Sequence, residues 1–358
     1  MLEIESLYVS AGKFRLHDVS LRVSEGECHA VLGPSGSGKS TLLNAILGVL
    51  PIDSGVIRLD GTNLSGVPIE RRSIGYVPQQ IGLFPHLTVR NNLAYSARAR
   101  GLPHSLYQPL IDKLVEATEI GALLDRYPAT LSGGEKQRVG IVRALASQPK
   151  VVLFDEAFSS LNESLRRELW WLLRGLQRDW QLTVLLITHD LSEAFFLADR
   201  VTILLEGRVV QQGEKAEVYG RPAAPDVAHF MGVETLQPGR VLDVQDGLAT
   251  VEIGSVRLIA LASNDISEEV LVSIRGEEVI LQGVGDAISS ARNALPARVV
   301  SVQAGSPLMC VELDAGFPLI ACITRPAFEE MGLKIGSEVV AHIKAPSVHL
   351  VELGGAVD

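Results

Sequence analysis

The run Gly33-Pro34-Ser35-Gly36-Ser37-Gly38-Lys39-Ser40-Thr41 has the residue types and spacing to hold a polyphosphate. It fits G-x-x-x-x-G-K-[ST] at every position. Glycines let the backbone curl so that successive N–H groups point into one hollow. Phosphates fill that hollow, Lys39 reaches the β- and γ-phosphates, and the Ser40 hydroxyl takes a place on Mg²⁺. The flanks suit the chemistry. His29-Ala30-Val31-Leu32 reads as a buried strand, and Leu42–Leu47 reads as a helix with its N-terminus aimed at the anion. A chance Gly/Ser turn would not have both flanks.

Other residues could serve the same phosphates. Val151-Val152-Leu153-Phe154 is a continuous apolar run, the mark of a parallel strand buried on both faces, and it ends in Asp155-Glu156. Ligands bind at strand ends in open α/β sheets. Asp155 can hold Mg²⁺ through its water shell, and Glu156 can accept a proton from water attacking the γ-phosphate. Two solvated carboxylates at a loop start are the bland alternative, and the phosphate loop argues against it. A second buried strand, residues 183–187, ends in Thr188-His189-Asp190. A lone histidine is usually structural, but at this strand end His189 favours a γ-phosphate contact. Gln79 follows a strand ending at Pro78 and could contact Mg²⁺ or the attacking water. Taken alone it is an ordinary exposed loop residue. Leu131-Ser132-Gly133-Gly134-Glu135 opens a helix to about Ser147. Ser132 and Glu135 form a capping box. Gly133 and Gly134 leave bare N–H groups outward, a surface anion site. Tyr8 and Phe14 are candidates to stack on a base, with strand packing the alternative for each.

Composition limits what surrounds these residues. A length of 358 residues suggests two or three domains, and 47% hydrophobic content supplies a large core. A net charge of -10 argues against a nucleic-acid surface. Cys28, Cys310 and Cys322 are scattered without metal-ligand spacing and read as reduced core thiols of a cytosolic protein. The acidic, alternating start is unlike a signal peptide, and no run reaches the ~18 apolar residues that cross a bilayer. Any membrane role must come from a partner.

Residues 2–9 and 16–23 alternate as strands, 56–59 form a short strand, and 89–127 look helical. Residues 163–180 form an amphipathic helix with Leu165, Leu169, Leu172, Leu173, Leu176 and Trp180 toward the core. Residues 199–210 close the sheet as a hairpin. The apolar, proline-broken stretch 83–89 beside Gln79 suits a docking surface. A Pro-, Gly- and Ala-rich stretch, Gly220–Gly239, separates domains 1–235 and 236–358, with a helical subdomain at about 85–150. The second domain is a repeat of short strands, about 238–284 and 294–353. Arg240–Gln245 matches Arg298–Gln303, Val251–Ile253 matches Val311–Leu313, and Val279–Leu281 matches Val348–Leu350. Two such copies imply a pseudo-symmetric double barrel. Between them, Ser289, Ser290, Arg292 and Asn293 could coordinate an oxyanion or be a polar linker.

From the phosphate loop to His189 the chain resembles the ATP-binding cassette ATPases of importers, over roughly residues 2–230. The resemblance implies an α/β P-loop NTPase cassette: a mostly parallel sheet with helices, an antiparallel β subdomain and a helical subdomain. It also implies an all-β OB-like double-repeat domain behind it, which resembles the TOBE domains of oxyanion, iron and sugar importer ATPases. In this family Gln79 lies in the glutamine loop, residues 131–135 are the signature, Asp155 and Glu156 are the Mg²⁺ and base carboxylates, and His189 is the switch. Two subunits pair head to tail, so Ser132, Gly133 and Gly134 of one close over ATP in the loop of the other.

The implied cofactors are ATP and Mg²⁺. The implied partners are a second copy of the chain, permease subunits docking near residues 79–95 and, indirectly, an external solute-binding protein, on the cytoplasmic face of the membrane. Ala157 replaces the usual proline. Asn162 replaces the usual Asp, which keeps the hydrogen bonds and loses the charge. Glu135 and Ser290–Asn293 resemble molybdate-type members. Iron(III), sulfate or another solute is the alternative within the class. A DNA-repair cassette would need a long coiled-coil insertion, and only about ninety residues separate Lys39 from Leu131. Translation types carry two cassettes, and an oxyanion sensor would lack the full hydrolytic set.

Overall fold

Apolar runs bounded by turns become the strands of the first of two units, Met1–Val218, in a computed structural model that describes residues 1–283, 290–305 and 308–352. In chain order come β1 (Leu2–Ala11), β2 (Phe14–Val23), β3 (Cys28–Leu32), α1 (Lys39–Leu47), β4 (Ser54–Leu59), β5 (Thr62–Asn63) and β6 (Ile74–Val77). Three helices come next, α2 (Val89–Ala99), α3 (His104–Ala117) and α4 (Gly133–Leu145). The unit closes with β7 (Val151–Asp155), α5 (Glu163–Trp180), β8 (Val184–Thr188), α6 (Leu191–Leu197), β9 (Arg200–Leu205) and β10 (Arg208–Glu214). Helix α7 (Lys215–Gly220) crosses the division.

Strands β2-β1-β4-β5 form an antiparallel sheet. The second sheet has the order β10-β9-β3-β8-β7-β6, parallel except for the edge strand β10. Every residue of β3 and β8 is buried, as expected of parallel strands covered on both faces. Leu7, Val31, Ile46, Leu153, Ile187 and Leu204 belong to one core that joins the two sheets through α1. This core holds the C-terminal ends of β3, β7 and β8 together, where the Gly33–Thr41 loop, Asp155, Glu156 and His189 stand.

The stretch 89–127, expected to be helical, is two α-helices and a short turn. Gly101 at φ +69° and Pro103 end α2 and restart the chain as α3, and residues 121–123 are only a 3₁₀ turn. Asn92 is fully buried. Its amide accepts from Phe84 N at 2.8 Å and lies 3.1 Å from the carbonyls of Phe84, Leu87 and Thr88, which fixes the loop before α2. Helix α5 spans the expected residues, but Trp170 is buried while Leu165, Leu172 and Trp180 are only half-buried.

The second unit begins at Tyr219, not at residue 236. Residues 219–234 pack on its strands. Arg275 Nη2 donates to Tyr219 O at 2.7 Å with its guanidinium 3.6 Å from the Tyr219 ring centre, and Glu234 Oε2 accepts from Gly276 N at 3.0 Å. The elements are α8 (Pro225–Phe230), β11 (Thr235–Gln245), β12 (Leu248–Ile253), β13 (Val256–Leu261), β14 (Glu269–Ile274) and β15 (Ile280–Gln282). They continue with β16 (Asn293–Ala304), β17 (Leu308–Asp314), β18 (Pro318–Thr324), α9 (Arg325–Glu330), β19 (Glu338–Ile343) and β20 (His349–Glu352).

The sequence repeat is a structural repeat with exchanged ends. One antiparallel sheet runs β13-β12-β11-β14-β20, the other β18-β17-β16-β19-β15. The last strand of each repeat therefore completes the sheet of the other. Both repeats carry a register shift at the same place, between Val241 and Asp243 and between Val299 and Ser301. The two sheets share one core that includes Val251, Val272, Val311, Leu319 and Ala341. Val284, Ser289 and Leu353 lie outside the described residues. Cys310 and Cys322, apart in sequence, are opposite each other in β17 and β18 with their free sulfurs 3.5 Å apart. No helix among the described residues is long and apolar enough to cross a membrane.

Candidate phosphate and hydrolysis site

The loop from Gly33 to Gly38 joins β3 to α1, as the strand–loop–helix context requires. Gly38 has φ +106°, and a Cβ there would lie 2.7 Å from both Phe14 and Leu16, so only glycine fits. Lys39 is buried and its Nζ donates to Gly33 O at 2.8 Å and Pro34 O at 2.9 Å. Burial pushes its pKa down, while Glu156 and Asp155 oppose that shift. The buried Ser37 Oγ has no hydrogen-bond partner. A cation folded back on loop carbonyls and an orphaned buried hydroxyl fit a site built for an anion. Pro34, Ser35, Gly36 and Ser40 are exposed at its mouth, with Thr41 half-buried in α1.

The two carboxylates stand at the end of β7. Burial raises the Asp155 pKa. The Tyr76 phenol, donating to Oδ2 at 3.0 Å, counters this, and the neighbouring Glu156 charge adds to it. Glu156 is in the left-handed region at φ 44°, a strained conformation for a residue with a side chain. Its N–H donates to Ile187 O in β8 at 2.8 Å. His189, at the end of β8, brings Nδ1 to 3.1 Å from Glu156 Oε1. Sequence reasoning named both residues, and the parallel pairing of β7 with β8 makes them a contact.

Gln79 is exposed, and its Nε2 donates to Ser159 Oγ at 3.2 Å. Ser159 Oγ in turn donates to Glu156 O at 2.8 Å. Gln79 is thus linked to the Glu156 backbone through a residue the sequence did not single out. Asn162 caps α5, with Oδ1 accepting from Leu165 N at 3.0 Å. A neutral amide is sufficient for that bond. Ala157 is fully buried.

The capping box at Ser132 is present in both directions, with Glu135 Oε2 accepting from Ser132 N at 2.7 Å. The two glycines beside it differ. A Cβ at Gly134 would lie 2.6 Å from Leu165, so close packing on α5 requires that glycine. Gly133 is open, its nearest neighbour to such a Cβ being Leu161 at 3.7 Å. Packing on α5 therefore accounts for Gly134, while no packing contact requires Gly133.

The aromatic candidates separate. Phe14 packs against Gly38 behind the loop. Tyr8 is 38% exposed, and its ring meets His17 edge-on at 6.5 Å between centres. In the second unit Ser290 and Arg292 are exposed, but Asn293 is not available to an oxyanion. It is 3% exposed, its Oδ1 accepts from Ile259 N at 2.6 Å, and its Nδ2 donates to Ile259 O at 2.9 Å and Ile343 O at 3.2 Å. Both ends of the amide tie β16 to β13, and Nδ2 also reaches β19, because a buried amide must be satisfied.

Glu193 was also missed, although Asp190-x-x-Glu193 before an apolar run is a legible cap signal. Glu193 is 2% exposed and burial pushes its pKa up to about 8. The folded chain therefore keeps a proton that the unfolded chain loses above the ordinary value of 4.5. The stability linked to this group is complete below that value and is lost as pH rises toward 8. Glu193→Gln is expected to gain on the wild type by roughly 1.4 kcal/mol per pH unit between about pH 5 and 8. Denaturant unfolding at stepped pH measures it, and parallel curves would show that Glu193 ionises normally.

Comparisons with known proteins agree with this geometry. The family model described as ABC transporter matches residues 16–159, and the TOBE domain model matches residues 289–350. The chain is 37% identical over 353 residues to the molybdate/tungstate import ATP-binding protein of Pyrococcus horikoshii, covering 98% of this chain and 99% of that protein. It is 34% identical over 360 residues to the sulfate/thiosulfate import ATP-binding protein of Bacillus cereus, covering 98% of each. It is 43% identical over 242 residues to the Fe(3+) ions import ATP-binding protein of Streptomyces coelicolor, covering 67% of this chain and 70% of that one. A solved dimeric bacterial ABC transporter cassette aligns with TM-score 0.53 at 28% identity, over 60% of this chain and 99% of that chain. The chain belongs to the ATP-binding subunits of ABC importers, ATPases that drive uptake of an oxyanion or ion, and it carries a C-terminal TOBE domain.

Proposed function

We propose that the imported solute is molybdate or tungstate. The observation that carries this reading is similarity to a molybdate/tungstate import protein through both units, 98% of the chain. Glu135 in the signature, with Ser290 and Arg292 in the second unit, supports it. Sulfate is the second reading, since a sulfate/thiosulfate import protein is similar over an equal share of the chain.

In this reading the Gly33–Thr41 loop and Lys39 bind the ATP phosphates, and Tyr8 stacks on the adenine. Ser40, Asp155 and Gln79 offer hard oxygen atoms of the kind Mg²⁺ takes. The ion would neutralise charge between the phosphates. Glu156 takes the proton of the attacking water, and His189 holds Glu156 and contacts the γ-phosphate. Two copies of the chain pair head to tail, so that Ser132, Gly133 and Gly134 of one complete the site of the other. Permease subunits dock near residues 79–95, where the Phe84 and Tyr95 rings lie 4.1 Å apart and Tyr95 is exposed. An external binding protein delivers the solute, and the ATPase sits on the cytoplasmic face of the membrane.

The second unit binds the oxyanion through Ser290 and Arg292 and slows the pump in a replete cell. Arg292 can give a bidentate, charge-assisted contact. For feedback the ligand must prefer the open dimer over the closed one. A tenfold effect needs only ~1.4 kcal/mol of differential binding. The test is ATPase activity of the assembled transporter against rising molybdate, tungstate or sulfate, with wild-type and Arg292→Ala subunits. Inhibition by molybdate or tungstate of about tenfold, relieved in Arg292→Ala, is expected. Inhibition by sulfate alone would favour the second reading. No inhibition, or equal inhibition of both proteins, would leave this unit as a scaffold.

A further inference from the structure

A side chain with no part in the chemistry described so far joins the loop after Glu156 to the turn that carries His189. Arg166 lies in the first part of α5. Its Nη1 donates to Asp190 Oδ2 at 2.7 Å, and its Nη2 donates to Leu161 O at 3.3 Å. Leu161 belongs to the loop that leaves Glu156, and Asp190 directly succeeds His189.

The turn itself is pinned on both sides of the histidine. Asp190 Oδ1 accepts from Glu193 N at 3.2 Å, so both of its oxygens are used. Thr188 Oγ1 accepts from Asp190 N at 3.0 Å and donates to Glu193 Oε2 at 2.9 Å. The His189 ring, by contrast, is about half exposed and is paired with Glu156. Its position therefore depends on where the turn is held, and beyond the β7–β8 pairing and the Glu156 N–H bond to Ile187 O, Arg166 ties that turn to the 157–162 loop.

Arg166 is not placed for stability alone. Its Nε is buried without a hydrogen-bond partner, and a buried orphan donor is a net cost. The fork is also needed as a fork. A guanidinium meets two acceptors at a fixed angle, whereas an ammonium is a point charge that would satisfy Asp190 and release Leu161.

We propose that Arg166 is a positioning residue that sets the reach of His189 to Glu156, by holding the 157–162 loop and the 188–190 turn on one guanidinium. A displacement of about 1 Å between reacting groups lowers turnover by about a hundredfold, so the expected effect is on kcat. Nucleotide binding, which depends on the 33–41 loop, is expected to stay within about twofold.

The inference rests on the assignment of Glu156 and His189, and the experiment separates the two. ATPase kinetics are measured on the full chain as wild type, Arg166→Lys, His189→Ala and the double variant, with ATP affinity and the thermal midpoint of each. Arg166→Lys is expected to lose roughly ten- to a hundredfold in kcat with KM nearly unchanged. In the His189→Ala background the same change is expected to cost little, because the group it positions is gone. A His189→Ala chain with full turnover would refute the assignment of His189. A low His189→Ala with normal Arg166→Lys, or equal losses in both backgrounds, would refute the role of Arg166. Crystals of Arg166→Lys give an independent reading. Separation of His189 Nδ1 from Glu156 Oε1 beyond hydrogen-bond reach is expected, and an unchanged contact would overturn the proposal.

Discussion

Glu156→Gln is expected to bind ATP as the wild type does and to lose at least about a hundredfold in turnover, since general-base catalysis contributes about 10²–10⁴. The carboxylate directly follows β7, with its backbone in the left-handed region at φ 44°. Its partner His189 is at 3.1 Å, and an amide at this position can keep that contact. What the amide cannot do is take the proton of the attacking water. The closed dimer formed on ATP binding should then persist, because the step that opens it is removed. Nucleotide-binding titration, phosphate release and gel filtration with ATP measure the three effects. Turnover near that of the wild type would remove Glu156 from the base role.

Mixing two inactive variants is expected to restore activity. Lys39→Ala removes the cation that now folds onto Gly33 O and Pro34 O and that would otherwise meet the phosphates. Ser132→Arg disrupts the cap at the N-terminus of α4 and covers the open Gly133 surface. Each homodimer carries a lesion in both sites, and each should fall by about a hundredfold or more, the scale for losing a group that stabilises developing charge. A mixed dimer concentrates both lesions in one site and leaves the other whole. Residual ATPase in the mixture, above that of either variant alone, is the expected result. A monomer that hydrolyses at the full rate would end the head-to-tail reading.

Local chemistry was legible wherever it is written in consecutive residues. The phosphate loop, the apolar strands β3, β7 and β8, the capping box at Ser132 and the span of α5 are all short-range signals, and each stands where the sequence put it. The helical reading of 89–127 did not place the break between α2 and α3, which Gly101 and Pro103 make. The start of the second unit was misplaced because composition marks a linker but not which side the linker packs on. The oxyanion set lost Asn293 for a similar reason: residue type suggests a ligand, and only burial shows that the amide is already committed.

The sequence by itself placed the glycine-rich loop between β3 and α1, the two carboxylates at the end of β7, the histidine at the end of β8 and the repeat, because each depends on residue type and near spacing. Tertiary structure decided which of these meet. Parallel pairing of β7 with β8 brings His189 to Glu156, and β6 beside β7 brings Tyr76 to Asp155. It also decided that Arg166 spans two loops and that β15 and β20 change places between the repeats. The physical reason is common to all of them. Such contacts join residues far apart along the chain, and their geometry comes from sheet order and packing, which no local pattern of residue types encodes.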